Sequence, residues 1–411
     1  MSRVKIGLAA AFAAVAASSF AIEGWRTSVY EIGAWNKVAT DSRTHVFSPV
    51  AFASLACLLG EGATTEVRAD IAEALDLLNE FSASFATVRQ AYERASESNS
   101  VSIAMAPSVW TRHPRSIDCK YVHILQNEFG AEAGVMDGIR SLNIWTETRT
   151  NGRIKDMVTR LPRSGDFIAV CGISFDGAWQ NAFKDGEADK PFKLPDGTVS
   201  QVKSLCGDQP MLRLSYPRFD LAVVPLAGDE MQLMLFLPKE GEDMGAVRRE
   251  ALTSVAFDEV KASVRQLLHA EDGERGTSEL TIPMIDLTSE FDVLPLFTDY
   301  KVPHTGFASL GQENRIGLAK LKVAVRLGAS GVSLTPGRAE AEEEARLEAY
   351  ERAKQLGAKT AAMHKKALED AMKESPWAAR LKPFTCDRPF FFMLWNPRSD
   401  TTVACGEFTG R

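Results

Sequence analysis

The sequence lacks closely spaced cysteines. The six, at 57, 119, 171, 206, 386 and 405, contain no Cys-x-x-Cys, which removes the usual zinc frameworks. There is no Gly-x-Ser-x-Gly elbow, no His-Glu-x-x-His, no phosphate loop with its lysine and no EF-hand loop, so the local signatures of hydrolase, metalloprotease, nucleotide and calcium chemistry are missing. "GEGATTE" at 60–66 has a phosphate loop's glycines without its lysine and reads as a turn. The histidines at 45, 113, 123, 269, 304 and 364 stand apart from one another, in no metal-ligand spacing. Neither a metal nor a cofactor is expected, and nothing here supports an enzyme. A positive charge excess is lacking too. The net charge of −7 argues against nucleic acid or an anionic membrane surface as the main partner. No Asn-x-Ser/Thr sequon occurs, so N-glycosylation is not expected.

Long apolar runs are equally scarce. One opens the chain, in "MSRVKIGLAAAFAAVAASSFA", where Arg3 and Lys5 precede the run and small residues end it at Ala21. It falls short of the ~20 residues a membrane span needs and reads as a signal peptide over 1–21, cleaved after Ala21. Export to the cell exterior or a periplasm is the expectation, against a short membrane anchor. Hydrophobic content of 45% allows a large core in the remaining residues 22–411.

Along those residues, helical patterns dominate early and strands late. "VAFASLACLLGEGATTEVRADIAEALDLLNEF" at 50–81 predicts a buried helix, a Gly-rich turn and an amphipathic helix. "NIWTETRTNGRIKDMV" at 143–158 starts as a helix and breaks at Asn151-Gly152. "FIAVCGISF", "FDLAVVPL", "MQLMLFLP", "LTIPMI", "LKVAVRL", "FFFMLW" and "TTVACGEF" read as strands. The mixed order predicts α+β rather than a regular βαβ winding. Cys386 and Cys405 flank the last apolar run and the turn "NPRSD". A hairpin there would bring them near each other, leaving a disulfide or two free buried thiols as alternatives.

Residues 338–375 differ from the rest. They are rich in Ala, Glu, Lys and Arg, with Thr335 and Pro336 at the start and Pro376 at the end, an N-cap, a first-turn proline and a stop. Acids come early and lysines late, and Glu348–Arg352 and Glu369–Lys373 are four apart, so the segment predicts a solvated helix.

Six stretches in order resemble the serpin family. "HVFSPVAFASLACLLGEGATTE" is similar to its early strand and helix B. The helix F spacing recurs as Asn143, Trp145, Thr150, Gly152 and Ile154, and the Phe-x-Gly-x-Trp-x-x-x-Phe strand as Phe175, Gly177, Trp179 and Phe183. "MQLMLFLPKE" and "LTIPMIDLTSEFDV" fit the following strands, and "CDRPFFFMLWNPRSDTTVACGEF" resembles the C-terminal hairpin. The resemblance implies one domain over 22–411, with three β-sheets, about nine helices and an exposed reactive loop at 332–384. It implies an endopeptidase inhibitor whose partner is a serine or cysteine protease and which acts as a monomer. In that mechanism the cleaved loop inserts as a new central strand and drags the acylated protease with it.

The same resemblance carries the site residues. The loop's hinge falls at Gly331, Val332, Leu334 and Pro336. Acidic residues before the hinge glycine and alanines after it are the family pattern; here Ala329 and Ser330 precede Gly331 and no alanine run follows. Pro336 has no N–H for a ladder. One inserted register turns in Val332, Leu334, Pro336 and then Arg338, Glu340, Glu342 and Glu344; the other turns in small residues from Ser333 to Ala341. The first would bury unpaired charges. Gly331 to Pro389 spans 58 positions, so the helical segment is read as an insertion within the loop. Counting from the hinge puts the scissile region at Arg346-Leu347; counting from Pro389 puts it at Ala378-Ala379-Arg380. Sheet opening is assigned to Ser48, Asn143 and Leu321, where the family's hydrogen-bonding histidine is replaced by leucine, and to Trp179 at the point of loop entry. Covalent trapping is expected to be inefficient. The alternative is a non-inhibitory serpin whose helical arm binds a protein partner; a helix swapped into a neighbouring molecule is a third reading.

Overall fold

The computed structural model describes residues 27–38, 43–75, 101–112, 117–162, 165, 167–183, 187–228, 230–269, 274–311, 315–329 and 381–411, with single helical positions at 81, 85, 89 and 93. The helices named here are α1 (Thr27–Val38), α2 (Pro49–Glu61), α3 (Thr65–Ala74), α4 (Cys119–Glu128), α5 (Arg140–Arg149), α6 (Met244–Glu250), α7 (Ser254–His269) and α8 (Leu294–Asp299). Helix α2 forms because Ser48 caps it, its Oγ accepting from the Ala51 N–H at 3.2 Å, and because a proline occupies the first turn. It is apolar all round, and every residue from Pro49 to Gly60 is buried, which makes it the spine of the core. The turn predicted at 60–66 follows, and Thr64 caps α3.

Five strands form one sheet, in the order β10 (Ile285–Asp292), β11 (Ile316–Leu327), β4 (Phe167–Gly177), β2 (Val101–Thr111) and β3 (Glu132–Val135). Its centre is the parallel pair β11–β4, in unbroken register from Leu318 opposite Ile168 to Leu327 opposite Gly177. Every residue of β4 is buried, so it reads as a continuous apolar run rather than an alternating one. Phe167, Ala169, Cys171, Ile173 and Phe175 join the large core with α2, while Ile168 and Val170 join a smaller cluster with Leu142, Ile154, Met157 and Val158. Helix α5 and the segment after it therefore cover the face opposite α2. That helix ends where predicted, with Asn151 at φ +52° and Gly152 at φ +75°.

The remaining strands form a second sheet, in the order β1 (His45–Phe47), β14 (Thr401–Phe408), β13 (Phe390–Asn396), β8 (Gln232–Pro238), β7 (Phe219–Pro225), β6 (Val199–Ser215), β9 (Glu274–Pro283) and β12 (Phe384–Thr385), with β5 (Glu187–Lys193) also on β6. Three sheets were expected; among the described residues two of them are joined. The 17-residue β6 is the reason, since it carries β5 on one half, β7 on the other, and β9 along its length.

Around the C-terminal hairpin, Cys386 and Cys405 take the second of the two alternatives, free buried thiols. All six cysteines are free. Cys405 lies in β14 opposite Met393 and Phe47. Cys386 follows β12 and donates its N–H to the Thr281 carbonyl at the far end of the sheet. Between Cys386 and the hairpin, the Asp387 carbonyl accepts from the Lys193 N–H on β5 and Arg388 Nε donates to the Pro238 carbonyl on β8, so flanking the hairpin in sequence does not pair the two thiols.

Candidate functional site

Residues 330–380, most of the expected reactive loop, lie outside the described residues, and the chain on either side of them is described. On the N-terminal side β11 ends at Leu327, and the Ala329 carbonyl accepts from the Phe183 N–H at 3.0 Å. On the C-terminal side Leu381 N–H donates to the Thr277 carbonyl at 2.9 Å. Ser278 Oγ and an Arg213 guanidinium nitrogen both donate to the Lys382 carbonyl, at 2.6 and 2.8 Å. The Arg213 guanidinium also lies over the Phe384 ring at 5.2 Å, and β12 pairs in parallel with β9. The C-terminal stem is thus held at several points by β9 and by Arg213 of β6, whereas the described part of the N-terminal stem follows β11 and is tied to Phe183 through Ala329.

Trp179 sits where that central pair ends. It is 3% exposed, bridges to Leu226 and meets Phe183 edge-on at 5.1 Å. Its indole N–H is buried without a hydrogen-bond partner, a cost of about 1–3 kcal/mol in the closed arrangement. Gly177 leads into it, and a Cβ there would meet Phe175, Leu226 and Leu327 at 2.7–3.1 Å, so only glycine fits without displacing the block.

Ser48, Asn143 and Leu321, grouped by the resemblance, are held by separate partners. Leu321 is fully buried and faces the α2 side, paired with Phe291 on β10 and Cys171 on β4. Ser48 Oγ donates to the Val403 carbonyl at 2.6 Å and caps α2. Asn143 lies on the opposite face of the sheet, where its amide donates to the Val158 carbonyl and its oxygen accepts from the Val158 N–H, both at 2.9 Å. The period of two along β11 decides this: Leu321 points away from the helix that carries Asn143. The side chain across from Leu321 is Cys171, whose thiol burial holds in its neutral form by pushing its pKa up. An apolar contact occupies the middle of the sheet.

One group of residues escaped the sequence reading. Asp286 on β10, Arg326 on β11 and Asp176 on β4 lie side by side across three adjacent strands. Arg153, from the segment after α5, reaches over them to Asp286 at 3.1 Å and Asp176 at 3.6 Å. The signal available was an aspartate ending the apolar run "FIAVCGISFD"; nothing in the sequence pointed to its partners.

The predicted hinge residues Gly331, Val332, Leu334 and Pro336, the scissile candidates Arg346, Leu347, Ala378, Ala379 and Arg380, the helical segment 338–375 and the signal peptide 1–21 all lie outside the described residues. No helix among the described residues is long and apolar enough to cross a membrane.

Comparison with known proteins agrees with this architecture. Serpin-Z10 of Arabidopsis thaliana is 25% identical over 226 residues, covering 52% of this chain and 58% of that protein. The chain spans about half the length of the curated relatives it matches. Serpin-12 of Manduca sexta superposes with a TM-score of 0.71 at 15% identity, over 94% of this chain and 98% of that one. Uncleaved ovalbumin superposes with a TM-score of 0.70 at 15% identity, over 94% and 99%. At such identities the structures speak for the fold. The family profile described as serpin (serine protease inhibitor) matches residues 35–410, and with a sheet centred on a parallel pair from which the loop departs, the chain belongs to the serpin family.

Proposed function

We propose that this protein is a secreted inhibitor of an endopeptidase, serine or cysteine type, and itself no enzyme, and that it traps its target inefficiently. The observation that carries the reading is the closed parallel pair β4–β11, whose continuation beyond Leu327 is the loop itself. Both stems hold the loop to the body, so residues 330–380 can be offered to a protease as substrate. After cleavage, a loop entering between β4 and β11 gives up one ladder and makes two. The net gain is about one ladder of bonds at roughly 0.5–1.5 kcal/mol each. The orphaned Trp179 N–H adds to the reasons for the closed sheet to yield.

Against this stands the sequence of the segment that must enter. Pro336 has no N–H for a ladder bond, a loss of about 0.5–1.5 kcal/mol, and proline is found in sheets essentially only on edge strands or at bulges. In one register Glu340, Glu342 and Glu344 turn inward, at about several kcal/mol each if unpaired. The other register presents small residues and keeps insertion open. Slow or partial insertion releases the acylated protease by hydrolysis before it is distorted, which is why covalent trapping is inefficient in this reading. The scissile bond is assigned to Arg380 rather than Arg346, because the C-terminal stem supplies the fixed end from which the loop tip is counted and because proteases take extended backbone rather than helix.

The second reading, a non-inhibitory serpin whose helical arm at 338–375 binds a protein partner, draws on the same Pro336 and glutamates. Thermal unfolding before and after limited trypsin cleavage of the loop separates the two. A rise of tens of degrees together with a denaturant-resistant complex supports the inhibitor. An unchanged midpoint with no complex leaves the binding arm. N-terminal sequencing of the exported chain tests cleavage after Ala21.

A further inference from the structure

The segment that leaves α5 crosses the face of the five-stranded sheet and is tied to both strands of the central pair. The Ser174 hydroxyl on β4 donates to the Thr150 carbonyl at 3.3 Å, and Lys322 Nζ on β11 donates to the carbonyls of Lys155 and Asp156 at 2.9 and 3.3 Å. Between these ties lies Arg153. Its guanidinium passes over β11, with Asp286 of β10 at 3.1 Å on one side and Asp176 of β4 at 3.6 Å on the other. Arg326 lies beneath it on β11, opposite Asp176 in register and 3.9 Å from Asp286. The group alternates in sign across the three strands that bound the point of loop entry.

The charges are unequally placed. The Asp176 side chain is 13% exposed, whereas Asp286 and Arg326 are 43% and 49% exposed. A desolvated carboxylate needs a nearby cation far more than a solvated one does. Asp176 has two, Arg153 above and Arg326 beside it, and of these Arg153 is the more buried. The fit is incomplete, because Arg153 Nε is buried without a hydrogen-bond partner. Moving β4 away from β11 would separate Asp176 from Arg326 and pull it from beneath Arg153.

We propose that Arg153 is a clasp on the central strand pair: its guanidinium joins Asp176 on β4 to Asp286 on β10 across β11, and so sets how readily β4 and β11 part. The proposal rests on the reading that this parting is the functional motion. Arg153 acts only through the strands, never on a substrate, and is a positioning residue. The clasp also explains a division of labour within the sheet. Its middle is closed by the apolar Leu321–Cys171 contact, which does not depend on charge, while its loop-entry end is closed by ions, which can be released singly.

The test is amide hydrogen exchange on the full, uncut chain at neutral pH. In Arg153→Met, exchange of the amides at 172–177 and 322–327 should speed up about tenfold, while that of β7 and β8 stays unchanged, because loss of the cation leaves a buried carboxylate unpaired. The double variant Arg153→Met/Asp176→Asn should return these amides close to wild-type rates, since no charge is then stranded. Arg153→Lys should fall between, as an ammonium can reach one carboxylate but cannot straddle two. Should Arg153→Met fail to fold, Asp286→Asn reads the same clasp from its solvated side, with an acceleration of about threefold. Unchanged exchange in the first variant, or a double variant as fast as Arg153→Met alone, overturns the clasp; the latter would mean that lost packing is responsible. Because no loop cleavage is involved, the clasp can stand if the cut protein fails to insert its loop, and can fall if insertion succeeds.

Discussion

Leu321→His puts an imidazole where the central pair is closed by an apolar contact. Leu321 is fully buried between Phe291 and Cys171. Withdrawing its side chain forfeits roughly 1.5–3 kcal/mol of burial. The imidazole brings an N–H and a ring nitrogen into the same space. Ser48, the expected partner, already donates to the Val403 carbonyl and accepts from the Ala51 N–H; Asn143 is on the other face, engaged with Val158. An imidazole without a partner adds about 1–3 kcal/mol. The loss should therefore be roughly 2.5–6 kcal/mol, similar to the about 2–5 kcal/mol expected of Leu321→Ala, although histidine is the larger residue. Urea unfolding followed by circular dichroism measures both. Adding Cys171→Asn to Leu321→His provides a partner directly across the pair, and the two changes should couple favourably by about 0.5–3 kcal/mol. A Leu321→His protein as stable as wild type would refute the reasoning, because the imidazole would then have found a bonded site that the closed apolar contact does not offer.

Asn143→Ala should cost about 2–4 kcal/mol in urea unfolding, because it strands both backbone groups of the buried Val158; a loss well under about 1 kcal/mol would mean that the segment after α5 is held by other contacts. Thermal midpoints with and without reductant should coincide, since Cys386 and Cys405 are separate free thiols; a fall on reduction, of the size that losing about 2–5 kcal/mol brings, would reveal a disulfide. Asp176 supplies a pH dependence of defined sign. Burial raises its carboxyl pKa above the ordinary range, Arg153 and Arg326 oppose the rise, and Asp286 adds to it. The folded chain thus holds that proton more tightly than the unfolded chain does. Its contribution to stability is present at low pH, below the unfolded value, and is lost as pH rises through the folded value. Asp176→Asn should flatten this part of the stability–pH curve, and a curve unchanged in shape would contradict the assignment.

Local chemistry made much of the fold legible in advance. Ser48-Pro49 before an apolar run specifies where α2 starts, and Asn151-Gly152 where α5 stops, because capping and positive φ are properties of a few adjacent residues. The apolar run of β4 announced a strand, and "FFFMLW" and "TTVACGEF" announced the hairpin. Pairings between distant segments were less legible. The family resemblance groups position 321 with Ser48 and Asn143, but which face of β11 each one shares depends on the register of β11 against β4 and on which face α5 covers. The same holds for Cys386, whose backbone partner Thr281 is on β9, and for Arg153, whose partners on β4 and β10 come from segments far apart in the chain. The sequence by itself determined the elements, the family and the unusual composition of the loop, all of which are written in short windows. Only the tertiary structure decided which side chains close the central pair, because burial and ion pairing are properties of the space between strands, not of any one strand.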